Sequence, residues 1–416
     1  MKVGGPRPPH PSHAQSGALD GPSPAPRTLG VGPGRWPIRP PLRVLVWAAA
    51  TVALLLVATL LWRGSDAAAT ESTTAPPADV PSGTPAGAVS EAWSADGELR
   101  AGTVIQSGRV LVGSAHGVRA LDPVTGREAW HYSRSNARLC GLTATNGVAV
   151  AAFATGSRCD EAVALRAGTG VRAWTRSLRL SGDATLTSTD RIVLASNKTG
   201  IVTLDPTGDN IRWRYAAPAG CRFLGAAAGS AGVAVLQRCA GATVAQVRLF
   251  DGFDGTAHWS RDVPLTEGAE LRLLGAGALP TVLVDGEVQV FATADGSVLT
   301  RMPVPAGADA VQVGAAGAVT LVRVGGRLFA LAAPSGATLW DIPALGLPAS
   351  PGGDGKDARS PTGLLVPEDG ALVQRDPATG AELGRSGVAD LPDGGVAARI
   401  GPVVVLRLPD RVLGYR

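Results

Sequence analysis

One glycine-bearing turn returns along most of the chain, at Gly126, Gly170, Gly208, Gly255, Gly296, Gly336 and Gly380. The intervals are 44, 38, 47, 41, 40 and 44 residues. A period this long and regular indicates one supersecondary unit built repeatedly, each copy burying against its neighbours a face it cannot bury alone. Before the turns lie short strand-like runs bounded by Gly and Asp, such as "RVLVGS" with "GVRALD", "RIVLAS" with "GIVTLD", and "AVTLVRV" with "RLFALA". Four or five residues after the glycine stands Trp130, Trp174, Trp213, Trp259 or Trp340, while the fifth and seventh turns have none. The unit is therefore strand, turn, strand, turn, strand with tryptophan. At a period of about 42 residues it predicts an all-β chain, a β-propeller with one four-stranded blade per repeat.

The two ends of the repeat region complement each other. Trp93 in "EAWSADG" has no repeat before it, and after Gly380 the runs "GGVAARI", "PVVVLRL" and "RVLGYR" have no final strand. An N-terminal strand that completes the last blade gives an eight-bladed β-propeller over residues 91–416, at about 41 residues per blade. Such closure leaves no free sheet edge at the ring junction. Seven blades plus a stray strand is the alternative.

Ahead of the repeats stands "VLVWAAATVALLLVATLLW", residues 44–62, without a charge. As a helix it spans about 28 Å, close to the hydrocarbon thickness of a bilayer, and it is expected to be a transmembrane helix. A cleaved signal peptide with "DAAATES" as its cleavage site is the competing reading, disfavoured by the 43 residues ahead of the span. Lys2, Arg7, Arg27, Arg35, Arg39 and Arg43 precede the span against one acid, Asp20, whereas Asp66 and Glu71 follow it. That asymmetry predicts a single-pass plasma-membrane protein with a cytoplasmic N-terminus and an extracytoplasmic propeller. Residues 1–43 read as a disordered Pro-rich tail, and residues 63–90, rich in Pro, Ala, Thr and Ser, as a semi-extended linker. The net charge of +4 is small and partly due to the tail, so no nucleic-acid face is inferred.

Four cysteines test the strand assignment. Cys140 and Cys159 are 19 apart, Cys221 and Cys239 are 18 apart, and both pairs hold the same place in their repeats. The first of each opens an innermost strand and the second ends the next, so two disulfides within blades are expected, as export would permit. Four buried free thiols is the alternative. A metal site is poorer, since no histidine is near either pair in sequence and CxxC spacing is absent.

Catalytic or metal-binding constellations are not found. His10 and His13 lie in the tail, and His116, His131 and His258 stand singly at turns or strand ends. "DGFDG", Asp251 to Gly255, faintly resembles a calcium loop but lacks its third acid and terminal Glu, so a hairpin turn accounts for it. "PASPGGDGKDARSP" is one long polar insertion, expected as a loop between the sixth and seventh blades. The innermost strands, "LTATNGVAV" and "FLGAAAGSAG" among them, are small and apolar and offer a central channel few polar anchors.

The stretch "ALDPVTGREAW", Ala120 to Trp130, resembles the repeat of the pyrrolo-quinoline quinone (PQQ)-like β-propeller family, Ala-x-Asp-x-x-Thr-Gly-x-x-x-Trp. Ala120, Asp122, Thr125, Gly126 and Trp130 match in full. The second copy keeps Ala164, Thr169, Gly170 and Trp174 but has Arg166 for the Asp. The third is slipped by one, with Leu204, Asp205, Gly208 and Trp213. The fourth keeps Asp251, Gly255 and Trp259, and the sixth Ala330, Gly336 and Trp340. The seventh keeps Asp376, Thr379 and Gly380 with Gly384 for the Trp. Read from the residues, the glycine supplies a positive φ, the Asp and Thr oxygens bond the turn's own amides, and the Trp buries a ring between blades. The resemblance implies the same docking role.

Some relatives are dehydrogenases with a tryptophan under the quinone, in several members a ring of adjacent cysteines, and an acid beside calcium. No Cys-Cys pair and no such cluster occurs here, so no cofactor is expected. Shorter relatives are non-enzymatic, among them the lipoprotein that scaffolds outer-membrane β-barrel assembly. The resulting expectation is a non-catalytic, membrane-anchored scaffold whose partner is an envelope protein. The alternatives are a sensor or binding module for a small molecule or cell-wall component and, remotely, a PQQ-dependent dehydrogenase.

Overall fold

The computed structural model describes residues 41–97, 105–208, 210–266, 268–308, 311–349 and 363–416. Residues 1–40 of the expected tail and most of the long polar insertion lie outside the described residues, while Leu42 and Arg43, expected in the tail, belong to the helix described next. The chain falls into two units, residues 1–60 and 61–416. The apolar run forms the helix Leu42–Arg63, which contains that division, is slightly longer than expected, and is long and apolar enough to cross a membrane.

In the second unit, eight sheets, antiparallel except for one short parallel pair, follow one another in chain order and form the eight-bladed propeller. The first blade is typical, with strands Ile105–Gln106, Arg109–Ser114, Gly117–Leu121 and Glu128–Arg134. Blades two to six span 138–177, 185–216, 221–264, 271–303 and 312–343. The first strands of neighbouring blades meet one another, so they are innermost, and the fourth strands are outermost. Blade seven has three strands among the described residues, 364–387. The short strand Leu347–Pro348, which precedes them, pairs in parallel with Val396–Ala397 of blade eight. Blade eight takes its outer strand, Glu91–Asp96, from the N-terminal side of the repeats, paired antiparallel with Arg411–Tyr415. Ring closure is thus made by two distant segments of chain, as the complementary ends implied.

The core is distributed as eight apolar clusters, one per blade interface. Between blades one and two, Leu111, Val118, Trp130 and Tyr132 face Leu142, Ala151, Phe153 and Leu165. At the closing junction Trp93, Val403, Val405 and Val412 of blade eight meet Val110, Val112 and Leu121 of blade one. Strand alternation explains this, because successive side chains point to opposite faces of a blade and each face packs on a different neighbour. The inner strands need small residues for the same reason. A Cβ at Gly229 would lie 1.7 Å from the Ala276 carbonyl oxygen of the next blade.

Residues 63–90, read as a semi-extended linker, include short regular elements and bond to the propeller. Asp66–Ala69 is a short helix, and Thr70–Ser72 adds a fifth strand to the outer edge of blade one, Thr70 opposite Arg134 and Ser72 opposite Tyr132. Asp66 pairs with the Arg134 guanidinium at 2.7 Å. The following residues continue across the propeller. Ala75 N–H donates to the Thr169 carbonyl at 3.0 Å. Arg109 donates to the Pro76 and Gly168 carbonyls. Val89 N–H reaches the Gly387 carbonyl at 2.9 Å. A segment without apolar periodicity docks here largely through its main chain, with the Asp66 carboxylate and the buried Val89 side chain adding single contacts.

Candidate functional site

Because successive strands run antiparallel, the first-to-second and third-to-fourth connections of a four-stranded blade emerge on the same face of the ring. The repeated Asp-to-Gly hairpins are the third-to-fourth connections. In the first, Asp122 Oδ1 accepts from the Val124 and Thr125 amides and from the Thr125 hydroxyl. Asp376 does the same for Ala378 and Thr379, and Asp205 for Thr207 and Gly208. Six indoles join these hairpins into a ring. Trp93 donates to the Pro123 carbonyl, Trp130 to Ala167, Trp174 to Pro206, Trp213 to Gly252, Trp259 to Thr293 and Trp340 to Pro377, all at 2.9–3.1 Å. Each acceptor belongs to the hairpin of the next blade. The glycine in that hairpin provides the seat: Gly170 has φ +78°, and a Cβ there would meet the Trp130 ring at 2.8 Å.

The two turns without a following tryptophan have separate explanations. In blade five Thr300 stands in its place and its hydroxyl donates to the Gly336 carbonyl at 2.7 Å, a polar substitute for the indole bond. Blade seven carries Gly384 at that position. Its neighbour, blade eight, is closed by separate chain segments and has no third-to-fourth hairpin for an indole to seat on. In the third repeat the structure places Asp205 and Trp213 in register with Asp122 and Trp130. Asp122 N–H donates to the Arg127 carbonyl and Asp205 N–H to that of Asn210, each five residues on. Gly208 therefore holds the Thr position of the pattern and lacks the positive φ of the other turn glycines.

A further device was invisible in the sequence. In all eight sheets the pairing between the third and fourth strands slips next to the tryptophan position, as between Ala120 and Leu121 or Ala330 and Leu331. A bulge there adds local twist and re-aims the side chain toward the next blade.

Two disulfides are present, Cys140–Cys159 and Cys221–Cys239. Cys221 and Cys239 lie directly opposite each other on the first two strands of blade four. Cys159, however, begins the third strand of blade two, Arg158–Arg166, instead of ending the second. A slip in pairing between Leu139 and Gly141 sets Cys140 out of the ladder, so the bond reaches across to the third strand.

The turn face is unevenly available. Over blades one, two and eight it is crossed by residues 73–81, with the Pro81 carbonyl oxygen seated against Gly401. From blade two to blade seven exposed apolar side chains recur where the outer strand begins or just before it: Val171, Ile211, Phe253, Val298, Leu339 and Leu383, between 37% and 54% exposed. An open cleft of about 290 Å³ lies at blade three, between Asn146, Asp190, Arg191, the Asp205–Thr207 hairpin, Arg212 and Phe253. The histidines stay apart. His116 bonds the Ala137 carbonyl, His131 pairs with Glu128 and Glu71, and His258 lies 4.0 Å from Asp251. Among the described residues no three His, Cys, Asp or Glu side chains converge as a metal site would require.

The hairpin carboxylates set an acid limit on the ring. Amide hydrogen bonds from Thr379, Thr256 and Ser297 hold Asp376, Asp254 and Asp295 below the usual carboxylate range. Burial raises the Asp205 carboxyl, but the amides of Gly208 and Thr207 and the Arg212 charge outweigh it and leave it lowered. A carboxyl with a lowered folded pKa stabilises the fold above its unfolded pKa, and that contribution is lost as pH falls through the folded value. Melting temperature is therefore expected to hold between pH 7 and 5 and to fall below about pH 4. Asp376→Asn should flatten part of that fall, and a melt unchanged down to pH 3 would contradict it.

Residues 158–303 and 244–413 each match the model of a family described as outer membrane protein assembly factor BamB. Among solved structures, BamB from Moraxella catarrhalis is 16% identical with a TM-score of 0.42, covering 79% of this chain and 97% of that one. The computationally designed Ika8 protein is 14% identical with a TM-score of 0.49, covering 78% of this chain and 98% of that one. The quinohemoprotein alcohol dehydrogenase from Comamonas testosteroni is 11% identical with a TM-score of 0.44, covering 79% and 76%. No curated protein matches the chain significantly.

Proposed function

The chain belongs to the family of the outer membrane protein assembly factor BamB, and on that premise we propose that its propeller is a non-catalytic scaffold that binds another protein of the cell envelope. The observation that carries this reading is the series of exposed apolar side chains on successive outer strands, Val298, Leu339 and Leu383 in blades five, six and seven. Apolar residues recurring on one rim of a rigid ring favour a protein contact. Among the described residues the outer strands of blades five and six have no further strand paired to them, leaving edges of the kind that Thr70–Ser72 occupies on blade one, whereas the blade-seven edge is already met at Gly387 by residues 87–89.

The tryptophans speak against a quinone enzyme. All six propeller tryptophans seat their indoles on the hairpin of a neighbouring blade, a docking role that supports the non-catalytic reading. The two disulfides fit an oxidising compartment. Together with the basic excess before the apolar helix, they support a propeller outside the plasma membrane and a cytoplasmic N-terminus.

Crosslinking of the full-length protein in its own membranes, followed by mass spectrometry, tests this reading. The expected result is one reproducible envelope protein linked to the outer strands of blades five to seven, with capture reduced at least tenfold in a Leu339→Glu, Leu383→Glu variant. Capture of nothing above background would transfer support to a small molecule or cell-wall polymer as the ligand.

A further inference from the structure

The hairpin Asp251–Gly255 departs from its six counterparts at its tip. Two residues past the Asp122 position, the others carry Val124, Gly168, Thr207, Ala294, Pro334 and Ala378. Here the residue is Phe253, 54% exposed. Six hairpins close without an aromatic at this place, so the fold does not require one.

The ring is nevertheless held rigidly. The Phe253 and Asp254 amides donate to Asp251 Oδ1 at 2.7 and 3.1 Å, and the Trp213 indole donates to the Gly252 carbonyl at 3.1 Å. The Arg212 guanidinium carbon lies 4.0 Å from the ring centroid, and Arg212 Nη2 donates to Asp205 Oδ2 at 2.7 Å. Arg212 is itself a departure, since Ala129 and Ala173 precede the tryptophan in blades one and two. Phe253 and Arg212 line the outer side of the 290 Å³ cleft, and the inner turns supply Asn146, Asp190 and Arg191. The Asn146 side-chain amide donates to the Asp190 carbonyl, tying two blades together at the cleft.

The chemistry of this lining selects a ligand class. Among the described lining residues, two arginines face two aspartates, so the cleft has no net charge with which to hold a phosphate or a cation. A carboxylate, an amide and guanidinium groups together offer both acceptors and donors in pairs, which suits adjacent hydroxyls. An aromatic ring beside them suits an apolar C–H face. The volume is at the lower end for a small-molecule site and the cleft is open, so one ring fits while a chain could extend beyond it. We propose that this cleft binds a neutral pyranose unit of a glycan, laid against Phe253, with Asn146, Asp190 and Arg191 taking its hydroxyls.

The test uses the full-length protein in lipid nanodiscs, without sugar-based detergent, and saturation-transfer NMR with chitotetraose and with maltotetraose. Transfer to the ring protons of either sugar is expected, with affinity at least tenfold weaker in Phe253→Ala. The melting temperature of that variant should be unchanged, since Ala294 and Ala378 hold the same place in other blades. Which sugar binds separates an N-acetylglucosamine polymer from a glucan as the source. No transfer from either sugar at millimolar concentration, or equal binding by Phe253→Ala, would overturn the proposal. Loss of envelope-protein crosslinks in Phe253→Ala, with neither sugar bound, would make Phe253 a protein contact and overturn it too. The scaffold reading stands or falls separately, on crosslinks to blades five to seven.

Discussion

Trp130→Ala is expected to destabilise the propeller by about 3–5 kcal/mol, as large-to-small changes at fully buried aromatic sites do. The ring has no exposure and sits in the cluster that joins blades one and two. Its indole N–H is bonded to the Ala167 carbonyl at 2.9 Å, so truncation leaves both a cavity and a buried acceptor without its donor. Trp340, 9% exposed, should cost less when replaced in the same way, because its site opens to water. Denaturant unfolding of the full-length protein in detergent reads both values. A loss below about 1 kcal/mol for Trp130→Ala would mean that the docked indoles do not carry the blade interfaces.

Removal of the disulfides should have the next largest effect. Closing loops of 18 and 19 residues restricts the unfolded chain by roughly 3 kcal/mol per bond in the chain-entropy model. Cys140–Cys159 is buried and Cys221–Cys239 half-buried, so dithiothreitol should reduce the second first. The measurement compares melting of the oxidised protein with that of a Cys221→Ser, Cys239→Ser variant and of the quadruple serine variant. Stepwise lowering is expected, the quadruple variant melting lowest. Equal melting temperatures in all three would show that neither bond constrains the unfolded chain.

The repeat was legible because each of its parts has a local cause. Gly126 is needed where φ is positive, Asp122 bonds the amides two and three residues on, and both facts are decided within a few residues. Eight blades followed from the period and from Trp93 standing without a repeat before it. Local readings failed where the deciding partner was remote. Gly208 reads as the turn glycine by its letter, while the strand register sets it one residue early. Residues 63–90 lack apolar periodicity and read as a semi-extended linker, while their main chain pairs with the outer edge of blade one and with the Thr169 carbonyl in the hairpin of blade two.

The amino-acid sequence by itself determined the blade unit, the number of blades, the apolar helix and the disulfide partners, because these depend on spacing and on residues close along the chain. Only the tertiary structure decided which blade each tryptophan joins, why Gly384 replaces one of them, and that Phe253 meets Arg212 beside a cleft. Those outcomes depend on surfaces brought together by ring closure, where a hairpin about 37 residues away supplies the partner of Trp130 and no local propensity encodes the meeting.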